Sequence, residues 1–125
     1  MNRLLTFLVS LFLISCGNGA VENITIREYG RVMSSIGHEA YVYEALSEAE
    51  VPVTQVMVTY SGGNCGIGVV SAYSSGLNFI LRWRKGNILV INAPNNVDLQ
   101  WNSSGQFFKC GEQSIRAIVE HGDHA

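Results

Sequence analysis

Leu77-Asn78-Phe79-Ile80-Leu81-Arg82-Trp83-Arg84, followed by Lys85-Gly86-Asn87 and Ile88-Leu89-Val90-Ile91, decides the fold class of this chain. Leu77, Phe79, Leu81 and Trp83 recur at every second position, and Asn78, Ile80, Arg82 and Arg84 fill the positions between. A period of two is that of a strand with one face in a core and one in water. The Lys85-Gly86-Asn87 break carries the residues that tolerate positive φ, so the two runs close into a hairpin. Working outward, residues 53–60 alternate, with Val53, Gln55, Met57 and Thr59 on one side and Val56, Val58 and Tyr60 on the other. Ser61-Gly62-Gly63-Asn64 turns the chain into a strand near residues 66–73, which Ser74-Ser75-Gly76 ends. Beyond the hairpin, Ala93-Pro94-Asn95-Asn96 is a turn and residues 97–101 a short strand. Residues 106–110 and 114–120 are the last two strands.

The stretch from residue 25 to residue 50 reads differently. Tyr29, Val32, Met33 and Ile36 fall at helical spacing, as do Tyr41, Val42, Ala45, Leu46 and Ala49. Tyr41-Val42-Tyr43 also suits a strand. The expectation is a helix over residues 39–50, stopped at Val51-Pro52 because the residue before proline resists helical geometry. The fold expected is therefore mainly β, an antiparallel sheet, meander or small sandwich of about six strands with a short N-terminal helical segment, and α+β is the alternative.

With 125 residues, 8 Lys plus Arg and 10 Asp plus Glu, the chain is one small, nearly neutral domain. Nucleic-acid binding through phosphate neutralisation calls for a basic surface, so nucleic acid is not expected as a partner.

Residues 4–14, LLTFLVSLFLI, form an uncharged run of eleven after Arg3. A membrane-spanning helix needs about twenty apolar residues, whereas eleven match the central region of a secretory signal. Leu13-Ile14-Ser15-Cys16-Gly17 then resembles the lipobox of bacterial lipoproteins. That resemblance implies diacylglycerol on the Cys16 thiol, cleavage before Cys16 and a lipid anchor in the cell envelope. Gly17 in place of an aspartate implies the outer membrane, with the domain facing the periplasm. Ordinary secretion is the alternative. The chain then divides into a signal peptide (1–15), a lipidated Cys16 with its tether (16–23), a β-rich domain (24–120) and a flexible tail (121–125).

Beyond Cys16 the chain holds 21 Val plus Ile against 5 Leu, and all 13 glycines, a balance that favours strands and turns. With Cys16 lipidated as the lipobox implies, Cys65 and Cys110 are left as one pair in an oxidising compartment, and a disulfide between them is expected. Closing that 46-residue loop contributes about 4 kcal/mol in the chain-entropy description.

The C-terminal half also resembles a group of small bacterial lipoproteins that have no assigned activity. The matching outline is Cys65-Gly66 after a strand, an apolar strand from Phe79 to Trp83, Leu89-Val90-Ile91, and a β-branched last strand from Ile115 to Val119. The 48 residues between Cys16 and Cys65, and Cys110 itself, depart from that outline. The resemblance implies location and β architecture, not chemistry.

Glu120-His121-Gly122-Asp123-His124 puts four metal-capable side chains in five residues, with His38 a further candidate. Ordering a chain end costs about 1–2 kcal/mol per residue, so the segment reads as a solvated tail and no metal site is assigned. No G-x-S-x-G elbow, H-E-x-x-H pair or phosphate-binding glycine loop is present, and Cys65 has no base at a diagnostic spacing. No catalytic residue or cofactor is therefore expected. Asn23-Ile24-Thr25 and Asn102-Ser103-Ser104 match glycosylation sequons and read as incidental.

Arg82, Trp83, Arg84 and Lys85 form the candidate interaction surface, suited to an envelope protein or an anionic envelope component. Tyr60, Trp83 and Trp101 are candidate interface anchors. The expectation is a non-enzymatic, lipid-anchored binding or structural module, with the membrane as partner through Cys16. A periplasmic inhibitor or immunity-type lipoprotein that plugs an enzyme with the Cys65 loop is the alternative. A small metal-binding protein or enzyme using His38 and the tail is the third.

Overall fold

A computed structural model of the chain describes residues 23–61, 65–102 and 105–122. Among the described residues nine strands alternate with turns: β1 (Ile24–Met33), β2 (His38–Ser47), β3 (Val53–Tyr60), β4 (Cys65–Ala72), β5 (Ile80–Arg84), β6 (Ile88–Pro94), β7 (Gln100–Trp101), β8 (Phe107–Cys110) and β9 (Gln113–Gly122). They form two sheets, one in the order β1-β2-β3-β4-β7 and the other β5-β6-β9-β8. Inward side chains of both sheets meet in one apolar cluster, in which Val42, Val56, Val58, Leu89, Ile91 and Ile115 are fully buried. The protein is a mainly β sandwich, and among the described residues the apolar cluster and the Cys65–Cys110 cross-link join its two sheets.

The decisive hairpin is as expected. Phe79 and Leu81 are buried, Ile80, Arg82 and Arg84 are exposed, and β5 pairs with β6 from Ile80↔Asn92 to Arg84↔Ile88. Gly86 and Asn87 both take positive φ at its tip, at 85° and 59°.

The expected helix over residues 39–50 is not formed, and no helix occurs among the described residues. Residues 38–47 are strand β2, with Ala40, Val42 and Glu44 turned inward. The helical spacing seen further upstream has a physical cause. β1 carries a bulge between Tyr29 and Val32, where Gly30 has a φ of 71°. The additional residue lets Tyr29 and Val32, three positions apart, both face the core. A bulged strand therefore imitates a helical period over one turn.

A second correction concerns topology. β9 does not extend an antiparallel meander; it inserts between β6 and β8, parallel to β6 from Ile88↔Arg116 to Pro94↔Gly122. It also continues through His121 and Gly122, the first two residues of the expected tail, and residues 123–125 lie outside the described residues.

The chain crosses from one sheet to the other through residues 73–79, and three inward side chains of β1 to β3 fasten this connection. The Tyr29 hydroxyl donates to the Leu77 carbonyl at 2.7 Å, the Thr54 hydroxyl to the Ser74 carbonyl at 2.7 Å, and the Gly76 amide to Glu44 Oε2 at 2.8 Å. Glu44 is buried, and its other oxygen accepts from Arg27 Nε at 3.1 Å. A buried carboxylate is tolerated where charge and hydrogen bonds meet it, as they do here.

Candidate functional site

Four turns gather at one end of the sandwich: residues 34–37, the β3–β4 turn that Ser61 begins, residues 85–87 and residues 111–112. His38↔Tyr60 and Tyr60↔Cys65 pair at the ends of their strands, and the Cys65–Cys110 disulfide, Cα atoms 5.2 Å apart, ties the two sheets together there. The expected bridge is thus present. The glycine-rich residues 62–64 of the Cys65 loop lie outside the described residues.

A buried polar and aromatic layer supports this turn pole. His38 is 1% exposed, and its Nε2 lies 2.9 Å from the Cys110 carbonyl. A carbonyl only accepts, so Nε2 carries the hydrogen. The imidazole stacks on Tyr60 and inclines toward Trp83, with centroids 6.3 Å apart. The Trp83 indole faces inward and donates from Nε1 to the Val32 carbonyl at 3.1 Å, a bond between the two sheets. In the 34–37 turn, Ser34 Oγ accepts from the amides of Ile36 and His38, at 3.3 and 3.0 Å.

A cleft of about 310 Å³ opens between the first turn and the β5–β6 hairpin. Met33, Ser34 and Ser35 line one side, and Trp83, Arg84, Lys85 and Asn87 the other. Three of the four residues singled out in the hairpin, Trp83, Arg84 and Lys85, therefore meet in one place. Arg82 does not join them: it lies on the outer sheet face, 3.7 Å from Glu120. Tyr60, Trp83 and Trp101 are half-buried and pack against the core, so they act as supports rather than protruding anchors. Met33, Ser34 and Ser35 were not legible as site residues. They stand some fifty positions from the hairpin, and only the turn signal of Ser34-Ser35 and Gly37 marks them.

Charge is distributed unevenly. On the five-stranded sheet, Arg27 pairs with Glu44, and Arg31 with Glu28 and Glu39. Arg31 also lies over the Tyr41 ring, 4.4 Å from its centroid. Among the described residues, Arg84, Lys85, Lys109 and Arg116, all exposed and all on the four-stranded sheet or its hairpin, have no carboxylate partner. The opposite pole, where β1 begins at Ile24, carries exposed Glu48, Glu50 and Asp98. Cations without a carboxylate partner thus gather at the turn pole, beside one exposed carboxylate, Glu112, while Glu48, Glu50 and Asp98 mark the other.

His38 and His121 are not brought together. The first lies beneath the turn pole, and His121 Nδ1 lies 3.2 Å from the Pro94 carbonyl at the far end of β6. No group of three His, Cys, Asp or Glu side chains converges among the described residues, and no helix there is long and apolar enough to cross a membrane. The lipobox and Cys16 lie outside the described residues. Comparison with protein-family models, with curated proteins and with solved structures found no match, so the reading of the site rests on its own geometry.

Proposed function

We propose that this chain is a non-enzymatic, lipid-anchored binding module of the bacterial cell envelope, held in the outer membrane through Cys16 and facing the periplasm. In this reading its turn pole engages an anionic envelope component or an envelope protein. One observation carries it: the unpaired cations Arg84 and Lys85 sit at the end of β1 opposite its start at Ile24. Ten extended residues put about 30 Å between the two ends. Residues 17–23 extend at most about 25 Å, so a domain tethered at Cys16 keeps its Ile24 end near the lipid and has its turn pole at the far end of the strands from that attachment. The lipobox sequence supports the anchor, and two or three acyl chains hold almost permanently.

Two measurements test the proposal. The intact mass of protein extracted from native membranes is expected to fit a chain that starts at Cys16 and carries diacylglycerol; a lipid-free chain starting near Val21 would replace the anchored reading with a secreted one. Photo-crosslinking in cells from position 85 is expected to trap one recurrent envelope component, and from position 48 none. Equal capture from both positions overturns the polarity argument. The inhibitor reading draws on the same pole, since the Cys65 loop belongs to it. Slowing of cell-wall hydrolases by purified domain would favour it over the binding module.

A further inference from the structure

We infer that the cleft between residues 33–35 and the hairpin residues 83–87 is a site for a phosphoryl group, which gives the anionic component of the proposed function a chemical class and rests on that reading. Arg84 and Lys85 have no carboxylate partner among the described residues and reach the cleft from the hairpin. Ser34 and Ser35 bring hydroxyls from the other side. Ser34 Oγ already accepts from two backbone amides, which leaves its own proton to donate outward. Ser35 adds a second hydroxyl to the lining, and no carboxylate lines the cleft. The lining thus offers donors on several sides and no competing acid. A tetrahedral oxyanion with three free oxygens satisfies hydroxyl, guanidinium and ammonium donors together, whereas a planar carboxylate presents two oxygens in one plane.

The support beneath the cleft favours a fixed geometry. His38, Tyr60, Trp83 and the disulfide hold both turns, and the Trp83 bond to Val32 ties the two walls directly. Donors held in place before the ligand arrives lose little freedom on binding. Met33, 63% exposed, gives one wall an apolar lip, which suits a phosphoryl group carried on an organic moiety.

The test uses isotopically labelled protein comprising residues 17–125, which contains both sheets, the apolar cluster between them and the disulfide. Inorganic phosphate and glycerol phosphate are expected to shift the amides of residues 34–36 and 85–87 saturably, and acetate at equal ionic strength is not. Arg84→Gln and Lys85→Gln, both at exposed positions, are each expected to weaken the response about tenfold. Ser35→Ala weakens it less and leaves the Ser34 turn intact. Shifts spread over the whole surface, an equal response to acetate, or an unchanged response in Arg84→Gln would overturn the assignment. Vesicles of phosphatidylglycerol, compared with phosphatidylcholine, separate the sources. A vesicle response assigns a lipid headgroup, and a glycerol phosphate response alone assigns a phosphate on a soluble or polymeric carrier. A negative titration together with a partner trapped from position 85 sinks the phosphoryl assignment and leaves the binding module standing.

Discussion

The imidazole of His38 lies on the phenol ring of Tyr60, with centroids 4.3 Å apart and planes inclined by 17°. Beneath the turn pole this pair joins β2 to β3, and the Nε2 bond to Cys110 carries the connection to β8. His38→Ala removes a fully buried ring and leaves a buried carbonyl without its donor. It is expected to cost about 3 kcal/mol, seen as a lower urea midpoint at unchanged slope. A loss within about 0.5 kcal/mol, the range of ordinary surface substitutions, would remove His38 from the support of the pole.

Gly111 stands against the Tyr60 ring of the same pair. Its φ is 72°, and a Cβ there would lie 2.7 Å from Tyr60 Cδ2. Gly111→Ala therefore meets backbone strain and a steric clash together, with an expected cost of about 2–4 kcal/mol. In a Tyr60→Ala background the clash disappears and only the strain, about 1 kcal/mol, is left. Additive losses in that double-mutant cycle would show that the two residues do not press on each other.

Reduction of the Cys65–Cys110 disulfide, with a sequence separation of 45, is expected to remove about 4 kcal/mol. Paired Cys65→Ser and Cys110→Ser replacements should match the reduced protein in calorimetry. They should also broaden the amide signals of residues 34–37 and 85–87 more than those of β2. If unfolding were equally steep and equally late without the bridge, its role in holding the pole would have to be given up.

Alkaline pH is expected to weaken the fold. Burial, reinforced by the Glu44 carboxylate and partly offset by Arg27, raises the Tyr29 phenol above its ordinary value of 10.0. Burial raises Tyr41 likewise, with Glu28 adding to the rise and Arg31 opposing it. In the unfolded chain these phenols ionise first, so their contribution is complete below about pH 10 and is lost as pH rises through the raised folded-state values. Tyr29→Phe should flatten this alkaline decline, and at neutral pH it should cost about 1 kcal/mol for the lost bond to Leu77. An unchanged decline in the phenylalanine variant would assign the pH dependence elsewhere.

Period-two segments were legible wherever a strand kept its phase. Residues 53–60 and 80–84 became β3 and β5 because nothing interrupts their alternation. β1 was hidden by its own bulge at Gly30, and β2 by apolar residues on both faces, where Tyr41, Tyr43 and Ala45 line the outer side of a sheet that buries Ala40 and Val42. The parallel placement of β9 leaves no mark in its composition, since Ile115 and Ala117 face a core in either direction. At the site, the cations of the hairpin could be read directly, because charge at a turn needs no partner to be noticed. The opposite wall could not, because Ser34 and Ser35 acquire meaning only when β1 and β5 come together across the sandwich.

The position of β9 also governs the order in which the protein becomes complete. Synthesis delivers β1 before the other described strands, and β1 to β4 can pair as successive neighbours while they emerge. β6 and β8 then wait on either side of an empty lane, each with an open edge, until residues 113–122 are delivered. Pairing at long sequence separation is slow, and the four-stranded sheet stays open in the meantime. The four-stranded sheet is thus held unfinished and pliable until β9 arrives, and that strand acts as the bolt that closes it.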